Sequence, residues 1–89
     1  MPKIWTDTQQ NFTVYIYFDD HEPAHVHIFR GSKRQREQPN VKIAIGDEFQ
    51  RPWLITKPAQ FSRKEAIAAL KLVAEHQEEF LRRWHEIHG

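Results

Sequence analysis

The sequence predicts an α+β fold, a small antiparallel sheet of three or four strands covered by a long C-terminal amphipathic helix. Three observations carry this. Residues 12–18 alternate along the chain with a period of two, shorter alternating runs follow, and from Ser62 onward the apolar period lengthens to that of a helix.

The clearest strand is Phe-Thr-Val-Tyr-Ile-Tyr-Phe at 12–18, with Phe12, Val14, Ile16 and Phe18 on one face and Thr13, Tyr15 and Tyr17 on the other. Asp19-Asp20-His21-Glu22-Pro23 supplies turn chemistry, and Pro23 biases Glu22 away from helix. A second strand is expected from Ala24 to Arg30, with Val26 and Ile28 opposite His25, His27 and Phe29. Polar residues 31–40 end it. Val41 to Ile45 forms a third alternating segment before a Gly46-Asp47 turn, and Phe49 to Ile55 is a fourth that Pro52 confines to an edge.

Ser62 followed by Glu65 has the spacing of a capping box, with Phe61 just before it. Ile67, Leu70, Val73, Ala74, Gln77, Leu81, Trp84 and His88 then trace a helical stripe, flanked by Ala66, Phe80 and Ile87. The pattern sustains one long helix or two shorter ones broken near His76. In either form Leu70, Val73, Leu81 and Trp84 are expected to face the sheet, because two one-sided elements bury each other.

With 89 residues, the chain is expected to form one domain over 1–89, with a modest core that a second copy could extend as a homodimer. Its six Phe, three Trp and two Tyr supply burial that a disordered chain lacks. Trp84 lies on the helix stripe and is expected in the core; Trp5 and Trp53 are expected to cover a sheet edge or to meet a partner. The absence of cysteine excludes disulfides, a thiol nucleophile and thiolate metal ligands. No segment approaches the roughly 20 apolar residues of a membrane span, so a non-membrane, cytoplasmic protein is the expectation.

Thirteen Lys plus Arg stand against 12 Asp plus Glu, so the net charge is +1 and any nucleic-acid surface must be a local patch. Arg30, Lys33, Arg34 and Arg36 are such a patch, suited to nucleic acid or an acidic protein partner, or simply a solubilising loop. Tyr15, Tyr17 or Phe29 would offer a stacking platform beside it if they faced outward.

The unusual chemistry is a histidine cluster. On a regular strand His25 and His27 point the same way, and His21 can fold back toward them across the turn. Asp19 and Asp20 add carboxylate oxygens. His21, His25, His27 and Asp19 match the ligand number and types that zinc takes. Histidine also suits acid–base catalysis near neutrality, for which His25 and His27 are the candidates. The third reading is a pair of structural imidazoles on a half-wet sheet face. No nucleophile motif, phosphate-cradling loop or dinucleotide fingerprint accompanies them.

The run Phe18-Asp19-Asp20-His21-Glu22-Pro23-Ala24-His25-Val26-His27 resembles the signature of a family of small bacterial proteins, domain of unknown function 4160. The resemblance extends over Phe29 to Gly31, Val41 to Ile45 and the closing helix with Trp84. It rests on His21, Pro23, His25 and His27, whereas Ala24 stands where the family often has proline. It implies a compact bacterial protein associated with toxin–antitoxin or regulatory operons, and no established reaction or cofactor. A binding or regulatory module is therefore the leading expectation. The alternative is a histidine-dependent or metal-assisted enzyme that cleaves phosphodiesters in nucleic acid, with Arg34 or Arg36 stabilising transferred charge.

Overall fold

The computed structural model describes residues 3–33, 35 and 37–89, and places strands first and helices last. The strands are β1 (Lys3–Asp7), β2 (Phe12–Tyr15), β3 (His25–Arg30), β4 (Asn40–Ala44) and β5 (Trp53–Thr56). Two helices follow, α1 (Arg63–Glu75) and α2 (Gln77–His88). The sheet is an antiparallel meander in the order β1-β2-β3-β4-β5, so strands adjacent in the chain are adjacent in space.

The sheet therefore has five strands where three or four were expected. The added one is β1, an edge strand on which Ile4 alone is fully buried and Trp5 half so. With the register also shifting between Lys3 and Trp5, its sequence shows little alternation to read. β2 stops pairing at Tyr15, earlier than the alternation implied. Ile16 and Tyr17 stay buried, but Phe18 is 67% exposed because the chain has already turned.

One sheet face carries the core. Phe12, Val14 and Ile16, then Val26 and Ile28, then Val41, Ile43 and Ile45, pack against Phe61, Leu72, Val73, Phe80 and Trp84. Of the two readings of the closing stripe, the structure takes the one with two helices broken at His76. His76 leaves helical geometry at φ −115°, and its ring lies 4.1 Å from that of Trp5. Gln77 donates to the Ile45 carbonyl at 2.9 Å and to the Gln50 carbonyl at 3.1 Å. These contacts bend the helical layer over the sheet at the one residue between α1 and α2.

The helix stripe is likewise adjusted. Val73 and Trp84 are buried as expected, while Leu70 and Leu81 only flank the core. Ala66, Ala69 and Leu72 complete the inner face of α1, leaving Ile67 45% exposed. The buried face is thus rotated by about one position, which small alanines conceal in a reading based on large side chains. The capping box at Ser62 and Glu65 is formed in both directions, at 3.0 and 2.9 Å. Among the described residues no helix is long and apolar enough to cross a membrane.

Candidate metal centre

The second sheet face carries His25 and His27 on β3, with Tyr15 opposite His27 on β2 and Lys42 opposite it on β4. Strand alternation sends both imidazoles to this side, 5.1 Å apart by ring centroids. The segment between β2 and β3 brings Asp20 back over them. Its N–H donates to Tyr17 O at 3.2 Å, and its Oδ2 accepts from Tyr17 N at 2.9 Å, so the turn is closed from both ends.

Asp20 Oδ1 lies 3.3 Å from His25 Nε2 and 3.2 Å from His27 Nε2. One ligand atom from each of these three residues falls within 4.8 Å of the others. The cluster is shielded: side-chain exposure is 3% for His25, 12% for His27 and 10% for Asp20.

The outer nitrogens decide what the inner ones present. His25 Nδ1 is 2.8 Å from the Pro23 carbonyl, which can only accept, so that nitrogen carries the proton. His27 Nδ1 is 3.1 Å from Asn40 Oδ1. The Asn40 amide nitrogen donates to Gln38 O at 3.1 Å, which fixes the oxygen toward His27. His27 Nδ1 is therefore also a donor. The His25 Nε2 lone pair then faces the Asp20 carboxylate, while His27 Nε2 hydrogen-bonds both carboxylate oxygens, at 3.2 Å each.

Protonation of His25 would relieve this, but burial pushes its pKa below the ordinary value, against the opposing pull of Pro23 O and Asp20. The buried His25 Nε2 makes no hydrogen bond although Asp20 Oδ1 is near. Two imidazole nitrogens and a carboxylate converging in a shielded space make a group that could hold a divalent cation. Hydrogen bonds on the outer nitrogens are also the usual support for metal-binding histidines.

The family model described as Domain of unknown function (DUF4160) matches residues 11–85. The chain belongs to that family. No curated protein and no solved structure matches it. The stretch matched to DUF4160 contains the whole cluster and its supporting residues, whereas β1 lies outside it.

The other residues singled out from the sequence fall as follows. The carboxylate in the cluster is Asp20, with Asp19 exposed beside it. His21 is exposed and contributes no ligand atom; it lines a neighbouring surface pocket with His25. Arg30 is held in a two-pronged pair with Glu65, at 2.8 and 2.7 Å, and also donates to Gln60 O. Lys33 sits over the rings of Tyr15, Tyr17 and Phe29 at 5.4–5.8 Å. Arg34 and Arg36 lie outside the described residues. Phe29 and Tyr17 are buried, and Tyr15 is half-buried with Lys33 over its ring, so these three offer no open stacking platform.

Asn40 was not legible as a participant. Its signal was its place on the alternation of β4, on the same side as Lys42 and diagonal to His27.

Proposed function

We propose that this protein is a metal-dependent hydrolase that cleaves phosphodiesters, with Asp20, His25 and His27 holding one divalent ion. The observation that carries this reading is the convergence of two imidazole nitrogens and a carboxylate in a shielded space, each ring held in place from its outer nitrogen. Zinc suits this mixed nitrogen and oxygen set, and three protein ligands leave a fourth position for water or substrate. When bound, such an ion lowers the pKa of its water to about 7, supplying a nucleophile at neutral pH.

The chain's own residues then have distinct tasks. His25 is held neutral by burial and oriented by Pro23 O, and His27 is oriented by Asn40. Asp20 supplies the negative charge, and Lys42 places a cation beside the cluster on the same sheet face. A substrate phosphate would lie between that ammonium and the centre, where the opposite charges of both favour it.

The test has two parts. Calorimetric titration of zinc at pH 7.5 should show one saturable site in the wild type and none in His27→Ala. Labelled RNA and DNA should then be cut by the zinc-loaded protein and spared after chelation. Saturable zinc without cleavage would remove the hydrolase reading and return the chain to a binding or regulatory role. No saturable zinc with persistent, histidine-dependent cleavage would instead assign His27 and Asp20 to metal-free acid–base catalysis.

A further inference from the structure

We infer that the pocket beside the cluster binds a single unpaired nucleotide, with its base against Trp53 and its phosphate on Lys42. The inference rests on the hydrolase reading and names the substrate of that same site.

The pocket has a volume of about 340 Å³. One wall is Asp20 and His25, so its occupant borders the proposed centre. The facing wall is Trp53 and Ile55 from the edge strand β5, and Lys42 of β4 lies between the two walls. The register explains this placement. Trp53 pairs with Ala44, which pairs with His25, so the indole and the imidazole stand on one row of the sheet with only a small alanine between them.

Three features give the ligand's chemistry. The Trp53 side of the pocket is a flat aromatic surface, and the residue is 40% exposed although it belongs to a strand. Indole faces are sequence-tolerant platforms for nucleobases. Lys42 is half-buried and makes no ion pair among the described residues, which leaves its ammonium available to an anion. The volume lies at the low end of small-molecule pockets, enough for one nucleotide and too small for a duplex. Asp19 and Glu22 also border the pocket but are exposed, so water screens their charge. Asp20 is the carboxylate whose charge a bound cation offsets. The substrate class is therefore single-stranded nucleic acid, or a nucleotide taken out of a stack.

Calorimetry with adenosine 5′-monophosphate, adenosine and inorganic phosphate tests each half of the site, in zinc-loaded and zinc-free protein. The monophosphate should bind saturably, more tightly with zinc. Trp53→Ala should weaken the monophosphate and adenosine by about tenfold through lost stacking, with Trp53→Phe restoring much of it. Lys42→Met should weaken the monophosphate and phosphate by about tenfold and leave adenosine unchanged. Circular dichroism and the zinc isotherm of each variant report whether fold and centre survive. No monophosphate binding by the wild type, or equal binding by the wild type and both variants, would overturn the inference. A failure of zinc binding alone would instead overturn the metal centre, because the zinc-free titrations still read the pocket.

Discussion

Asn40 accepts a hydrogen bond from His27 across the β3–β4 ladder, 3.1 Å from its Oδ1 to the ring Nδ1. Because the amide's other end is committed to Gln38 O, this contact holds the angle of the imidazole. Replacing Asn40 by Leu should lower zinc affinity by about 10–100-fold, the usual cost of losing such a supporting bond. Asn40→Asp, which keeps an acceptor, should retain most of it. Zinc isotherms of the two variants at matched folding stability check this; equal affinity in wild type and Asn40→Leu would contradict the role.

Acid should destabilise the zinc-free protein in two separable windows. The folded His25 pKa lies below its ordinary value of 6.5 because of burial, so the unfolded chain takes up the proton first as pH falls. Stability should therefore begin to drop below about pH 6.5 and stop dropping once the folded state also protonates. Glu65 titrates lower, pulled down to about 2 from 4.5 by its Arg30 partner and the Ser62 cap. Its contribution is present above about 4.5 and disappears toward pH 2. Urea midpoints measured across pH should show the upper step vanish in His25→Gln and the lower step vanish in Glu65→Gln.

On the inner face of α1, Leu72 is 4% exposed and Ile67 is 45% exposed. Leu72→Ala should cost about 2–5 kcal/mol through lost transfer energy and the cavity left behind. Ile67→Ala should stay within about 0.5 kcal/mol. Denaturation of both variants distinguishes the observed face of the helix from the stripe that the large side chains alone suggest.

Gly46 turns the chain at φ +73° between β4 and the following loop. A Cβ there would collide with the Gln50 carbonyl oxygen, a backbone atom with little room to move. Gly46→Ala should therefore destabilise by more than the roughly 1 kcal/mol typical of a left-handed position alone. A thermal midpoint within error of the wild type would show that the loop can relax.

The fold was legible wherever the pattern was strong. The alternation at 12–18 and 24–30 and the Ser62–Glu65 cap are local signals; strands and cap appear there, although the first strand ends at Tyr15. β1 was hidden because an edge strand has little to bury, and the choice between one helix and a break near His76 stayed open because its causes are tertiary contacts with Trp5, Ile45 and Gln50. For the cluster, alternation alone brings His25 and His27 together. Sequence could not choose between Asp19 and Asp20, since the choice depends on which way a turn faces. It also could not reach Asn40, Lys42 or Trp53, which join the site only through pairing register across two further strands.

The carboxylate of Asp20 both closes the turn onto the Tyr17 amide and stands against the two imidazoles. Shape and charge at this position are thus inherited together, since most replacements would loosen the loop and discharge the cluster at once. Asparagine alone keeps a near-identical outline and an oxygen for the amide while giving up the charge. Relatives that had abandoned the chemistry but kept the architecture would therefore be expected to carry that one residue here, and a survey of the family could find them by a single letter.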